Sequence, residues 1–162
     1  MKLFQNLFGK NDGIILAAPV GGRIVDIKTV NDPTFSEEIL GKGVAVIPSE
    51  GKFCSPADGT VSTVFPTGHA VAIISDEGAE ILIHIGLDTV KLNGKHFNII
   101  AGEGQKVKKG DLLIDADLGS IKADGYDIIT PVIICNSGEF SEILPETEKE
   151  VAKGDNIIVL KK

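Results

Sequence analysis

The stretch VAIISDEGAEILIHIG, residues 71–86, decides how this chain is read. Two short apolar runs flank a polar break, Asp76-Glu77-Gly78-Ala79. Short runs rich in Ile and Val, split by turn-forming residues, read as a β-hairpin. His84 interrupts the second run, and His69 stands just before the first. The chain has only three histidines, so two in one hairpin ask for a reason.

A two-residue turn at Glu77-Gly78 sets Asp76 against Ala79, His84 against Val71 and His69 against Gly86. Side chains alternate along a strand. His69, Val71, Ile73, Leu82 and His84 then share one face. Ala70, Ala72, Ile74, Ile81, Ile83 and Ile85 share the other, which is wholly apolar and expected to be core. In this register the histidines are diagonal neighbours, with backbones roughly 7–8 Å apart. They sit on a shallow apolar face suited to a partner. A three-residue turn would slip the parity and separate them.

Outward from the hairpin, the pattern after about residue 13 is β nearly throughout. GIILAAPV, GRIVDIKTV, GVAVIPS, TVSTVF, HAVAIIS, EILIHIG, DLLIDAD, TPVIICN and NIIVLKK are short and bounded by Gly, Pro, Asn or Asp. They predict an all-β chain, an antiparallel β-sandwich or barrel-like fold with a few short helical turns. FSEEIL (35–40) and LGSIKAD (118–124) are the candidate helical pieces. AAPVGGRIVDI (17–27) echoes CSPADGTVSTV (54–64), and VKKGDLLI (107–114) echoes VAKGDNIIV (151–159). The echoes are too short for a solenoid and indicate one strand–turn–strand device used more than once. Residues 13–162 read as a single domain.

Composition narrows the function. The 162 residues are 43% hydrophobic, enough to bury a real core, and carry a formal net charge of −7. That balance argues against nucleic acid, whose phosphates need Lys and Arg. It suits a basic protein partner. Cys54 and Cys135 belong to no ligand-spaced cluster and read as reduced, mostly buried thiols of a cytosolic protein. MKLFQNLFGK has an apolar stripe at positions 3, 4, 7 and 8 but no continuous apolar core, so it is not a signal peptide. Residues 1–12 read as a mobile or weakly helical leader, with a weak membrane-surface helix as the sharper alternative. The length, Met1 and the Lys161-Lys162 end suggest a free-standing subunit, with a domain cut from a fused transporter as the alternative.

Two convergent imidazoles allow three readings. One is structural: a satisfied core histidine beside one at a strand edge. A second is zinc, with Asp88 or Asp76 as further ligand, but HxH, HExxH and CxxC are all missing. His96, after Asn93-Gly94, is expected to pair with Lys91 in a hairpin, exposed and uninvolved. The third is phosphoryl relay. A neutral imidazole attacks through one ring nitrogen, and its neighbour donates a hydrogen bond to the incoming phosphoryl oxygens. No P-loop is present, and the relay itself calls for no cofactor.

The residues HAVAIISDEGAEILIHIGLDTVKLNGKHF, IAGEGQKVKKGDLLIDAD and TPVIICN closely resemble the glucose-type IIA component of the bacterial phosphoenolpyruvate-dependent sugar phosphotransferase system. The segment HIGLDTVKLNG fits the pattern HxGxDTVxLxG, and the likeness runs from IILAAPVGGRIVDI to IIVLKK. The resemblance implies a cytoplasmic phosphocarrier, recruited to a membrane transporter and meeting the membrane only there or weakly through its leader. It implies a phosphoryl group arriving from the histidine-containing phosphocarrier protein and leaving to a cysteine on a IIB transporter domain. His84 matches the phosphorylated nucleophile, acting through Nε2, and His69 its supporting histidine. Gly86 is implied to offer its carbonyl to the His84 Nδ1–H, and Thr67 to orient His69. Phe35, Phe65 and Leu82 match apolar positions around the site. Asp32 and Asp88 match acidic positions that meet a basic donor, although NDP and LDT are also good turn sequences. Two other classes compete. A zinc metallohydrolase of related strand-rich architecture predicts a third ligand near the pair. A biotinyl- or lipoyl-type carrier needs a modified lysine in a DKA-like or Met-flanked tip, and the only methionine is Met1.

Overall fold

Residues 13–162 are described by a computed structural model, and the expected leader, residues 1–12, lies outside them. Fourteen strands run through the described residues. They are β1 (Gly13–Ala17), β2 (Gly22–Asp26), β3 (Lys42–Pro48), β4 (Lys52–Cys54), β5 (Gly59–Val64), β6 (Ala70–Ser75) and β7 (Glu80–His84). There follow β8 (Phe97–Ile99), β9 (Lys106–Val107), β10 (Leu112–Ala116), β11 (Thr130–Ile134), β12 (Glu142–Pro145), β13 (Lys149–Val151) and β14 (Asn156–Lys161). Two short helices, α1 (Pro33–Ser36) and α2 (Leu118–Ala123), complete the set with three 3-10 turns. All pairings are antiparallel. The all-β expectation holds, with β7 and β6 central in an eight-stranded sheet ordered β13-β2-β3-β11-β7-β6-β5-β9. Two three-stranded sheets, β1-β14-β12 and β4-β10-β8, supply further apolar faces.

The strand alternation explains how the large sheet is covered on both faces. Ile81, Ile83, Val71, Ile73, Val44, Val46, Val132 and Ile134 join the main core, together with Leu16, Ile158 and Leu160 from β1 and β14 and Phe53 and Ile114 from β4 and β10. The opposite face carries a second, smaller cluster of Val25, Ala45, Ala70, Leu82 and Ile133, closed by Phe35, Leu87 and Ile129. Burying one such Val, Ile or Leu side chain contributes about 1.5–3 kcal/mol. The second cluster sits beside the histidines.

The sequence echoes are structurally reciprocal. The Ala17 N–H donates to the Pro56 carbonyl and the Cys54 N–H to the Pro19 carbonyl, so the two echoed turns bond each other. Gly154 donates to Ala18 as Gly110 donates to Ser55. The β2–β13 pair, Gly22 against Val151, repeats in β5–β9 as Gly59 against Val107. One device is therefore used twice, and its copies are joined where β11 meets β7.

Several expectations need correcting. The hairpin register pairs Ala70 with His84, Val71 with Ile83 and Ile73 with Ile81. The turn holds three residues, Asp76-Glu77-Gly78, closed by the Ser75 N–H to the Ala79 carbonyl at 2.8 Å, with Gly78 at φ +104°. A left-handed glycine there suits a turn that adds one residue. The faces of β7 stand as expected, but those of β6 exchange: Val71 and Ile73 enter the main core, while Ala70 lies in the second cluster with Ala72 packed against it. The helix expected over 35–40 starts two residues earlier. Asp32 is its N-cap, accepting from the Thr34 N–H at 3.0 Å, with Pro33 in the first turn, and Glu38 at φ +57° ends it. No hairpin forms around Asn93-Gly94, because a 3-10 turn over Thr89–Leu92 takes its place. His96 is half-buried, with Nε2 2.7 Å from the Asp124 carboxylate. Both cysteines are free, but only Cys54 is buried, and Cys135 is exposed.

Candidate functional site

The three-residue turn should have separated the histidines, yet their ring centroids lie 5.0 Å apart at 80°. The reason is that His69 precedes β6 and does not follow its alternation. The chain leaves β5 through Phe65-Pro66-Thr67-Gly68, with the Gly68 N–H bonded to the Phe65 carbonyl and Gly68 at φ +73°. His69 sits on the bend that follows. Its carbonyl still accepts from the Ile85 N–H at 2.7 Å, so its backbone is tied to β7 while its ring meets His84. Gly68 is required for packing as well: an added Cβ would lie 2.9 Å from Phe97 Cβ.

Each ring is held at Nδ1. His84 Nδ1 lies 2.7 Å from the Gly86 carbonyl. A carbonyl only accepts, so this nitrogen carries the proton and Nε2 keeps its lone pair. His69 Nδ1 lies 2.5 Å from the Thr67 hydroxyl. When that hydroxyl donates, His69 carries its proton on Nε2 and can donate it onward. Phe35 packs at a tilt against His84, with ring centroids 5.0 Å apart, and Phe65 meets His69 edge-on at 5.3 Å. Both imidazoles are kept neutral. Burial, with a smaller contribution from His84, pushes the His69 pKa down to about 4. Burial also lowers that of His84, opposed by the Gly86 carbonyl and by the charges of Asp32 and Asp88.

The other expected residues divide by exposure. Phe35 and Leu82 are largely buried and form the wall of the site, whereas Phe65 is 38% exposed. Ile39, Leu40 and Val90 add exposed apolar surface on the segments that follow Phe35 and Asp88. Asp32 caps α1 through Oδ1, and its charge still acts on His84. Asp88 is exposed at φ +60°, and its carboxylate caps nothing at the 3-10 turn it precedes. Among the described residues no group of three or more His, Cys, Asp or Glu is placed to hold a metal ion, so the metallohydrolase reading finds no third ligand. A cleft of about 730 Å³ lined by Gly13, Asp76 and Glu142 lies by the Asp76–Gly78 turn, at the far end of the hairpin from His84. No helix among the described residues is long and apolar enough to cross a membrane.

Sequence reasoning misses the backbone that holds Gly86. The Leu87 N–H donates to the Asp127 carbonyl at 3.0 Å, and a Cβ on Gly86 would lie 2.8 Å from that oxygen. No local pattern links positions 41 residues apart.

The family model for the phosphoenolpyruvate-dependent sugar phosphotransferase system, EIIA 1, matches residues 14–140. The chain is 40% identical to the glucose-specific EIIA component of the PTS system of Haemophilus influenzae, over 100% of both chains. It is 43% identical to the beta-glucoside-specific EIIBCA component of Halalkalibacterium halodurans, over 90% of this chain but 23% of that protein. The chain thus spans less than a quarter of some of the relatives it matches. The solved glucose permease IIA from Mycoplasma capricolum superposes with a TM-score of 0.87 at 37% identity, covering 94% of this chain and 98% of that one.

Proposed function

The chain belongs to the EIIA 1 family of the phosphoenolpyruvate-dependent sugar phosphotransferase system, and from that membership we propose that it carries a phosphoryl group on Nε2 of His84 during sugar uptake. The observation that carries this reading is the bond from His84 Nδ1–H to the Gly86 carbonyl, with the Thr67-held His69 ring 5.0 Å away. The donor is the histidine-containing phosphocarrier protein, and the acceptor is a cysteine on the IIB domain of a transporter. Relatives named EIIBCA support the IIB acceptor, since they join B, C and A components in one protein.

The step balances simply. The Nε2 lone pair of His84 attacks phosphorus, the new P–N bond forms, and the P–N bond to the donor imidazole breaks. The positive charge that develops on His84 is shared with the Gly86 carbonyl through Nδ1–H. His69, with Thr67 at its Nδ1, offers Nε2–H to a phosphoryl oxygen. Transfer onward reverses the geometry, with a thiolate as nucleophile. Asp32 and Asp88 meet a basic donor, and Phe65 gives it apolar contact. Residues 13–162 act as one carrier domain, a reading supported by a core that joins β1 to β14. The carrier works in the cytoplasm and reaches the membrane through the transporter.

The test is intact mass after incubation with phosphoenolpyruvate, enzyme I and the phosphocarrier protein. One acid-labile phosphoryl adduct is expected, mapping to His84 and lost in His84→Ala. An undiminished adduct in that variant would show that another residue is the acceptor.

A further inference from the structure

We infer that Thr89 is a positioning residue for phosphoryl transfer: it holds the turn that aims the Gly86 carbonyl at His84 and so selects the reactive tautomer. The inference rests on His84 being the acceptor, as proposed above. Gly86 sits at φ +78°, a conformation open to glycine at little cost. The same freedom means that glycine alone does not fix the direction of its carbonyl. Something else must hold the peptide that accepts from His84 Nδ1–H at 2.7 Å.

Two groups clamp it. On one side is the Asp127 carbonyl, which accepts from the Leu87 N–H at 3.0 Å. On the other is Thr89, which is completely buried. Its Oγ1 donates to the Ile85 carbonyl at 2.5 Å, bridging the peptide before Gly86 to the 3-10 turn after it. Its Cγ2 fills the space beside Gly86, where an added Cβ would come within 2.6 Å. The hydroxyl and the methyl therefore do different things. The methyl packs the turn, and the hydroxyl sets its pitch. Without the hydroxyl, the Ile85 carbonyl loses a buried partner and the 85–89 turn is free to relax. The Gly86 carbonyl then no longer favours a proton on Nδ1. Each His84 ring with its proton on Nε2 has its lone pair on Nδ1, turned to the Gly86 side, and none on Nε2 to attack with.

The bland alternative is that Thr89 is simply a satisfied buried threonine. Ser55 is the comparable case: buried, its hydroxyl donating to the Ala57 carbonyl at 2.7 Å, on the segment between β4 and β5 that meets the hairpin at Asp76 rather than at His84. The experiment compares the wild-type chain with Thr89→Val, Thr89→Ser, Thr89→Ala and Ser55→Ala. It reads the ¹⁵N shifts of the His84 ring near neutral pH, the initial rate of phosphorylation by the phosphocarrier protein, and the urea midpoint. In Thr89→Val the His84 ring should shift toward a mixture of tautomers, and phosphorylation should slow about tenfold, the scale of one lost hydrogen bond. Thr89→Ser should restore both. Ser55→Ala should lower the urea midpoint and leave tautomer and rate alone. Unchanged tautomer and rate in Thr89→Val would overturn the inference. If Thr89→Val does not fold, Thr89→Ser and Thr89→Ala, which differ only in the hydroxyl, are compared by the same two signals. Absence of a His84 adduct in the wild-type chain would instead overturn the reading beneath it, so the two failures are distinct.

Discussion

Acid should unfold this protein partly through His69, and the effect can be worked from its burial. His69 is 4% exposed. Its pKa in the folded chain is about 4, against an ordinary 6.5. The folded pKa is depressed, so the unfolded chain binds the proton more tightly, and stability must rise with pH across this window. The contribution is fully present above pH 6.5 and is lost progressively as pH falls toward 4. The gap of about 2.5 between the two values corresponds to a total of about 3.4 kcal/mol. At pH 5 the loss is already about 2 kcal/mol, whereas at pH 7 it is only about 0.2 kcal/mol. His84, also lowered by burial, acts in the same direction. The perturbation is His69→Gln, which removes the titrating group at similar size. The assay is urea unfolding at pH 7 and pH 5 for both chains. With a urea slope of about 2 kcal/mol per molar, the wild-type midpoint should fall by about 1 M more than that of the variant. Equal falls in the two chains would refute the reasoning, because they would mean that His69 is as free to protonate when folded as when unfolded.

Three further variants test the same geometry. His69→Gln should still be phosphorylated on His84 but pass the group to the IIB cysteine at least about tenfold more slowly in stopped-flow transfer, since an oxyanion donor is lost. Gly86→Ala should cost about 2–4 kcal/mol in urea unfolding, combining a left-handed alanine with a Cβ 2.8 Å from the Asp127 carbonyl. Asp88→Asn should slow association with the basic donor several-fold at low salt and less at high salt, measured as the salt dependence of the on-rate. The same variant should lower the His84 pKa further in an NMR titration, because the Asp88 charge is one of the influences that raise it.

The longer strands are legible because each carries its own alternation. Within β7 the partition of Leu82 and His84 from Ile81 and Ile83 needs no knowledge of its neighbours, and it stands. The short strands β4, β8, β9, β12 and β13 are not legible, since two to four residues hold too little pattern to separate from turn. The start of α1 escapes the sequence by two residues because NDP reads as a turn, when the same Asp and Pro are the cap and first turn of a helix. His96 escapes it because Asn93-Gly94 implies a hairpin only if strands flank it, and a 3-10 turn precedes it.

The histidine pair shows where sequence ends and tertiary structure begins. Local chemistry alone determined that residues 71–86 form a hairpin and that His84 shares a face with Leu82, while the specific signal of HIGLDTVKLNG comes from its resemblance to a family pattern. It did not determine the register, because the step from a two-residue to a three-residue turn depends on how Gly78 is held across the loop. It did not determine the convergence either. That came from the bend at Gly68, which frees His69 from the alternation of β6 while the Ile85 N–H keeps its backbone in place. The tautomer of His84 likewise waits on the Asp127 carbonyl, brought to the Gly86 turn from 41 residues away. Periodicity fixes which way a residue points within its own strand. Only long-range packing fixes how two chain segments meet, and the proposed chemistry lies at that meeting.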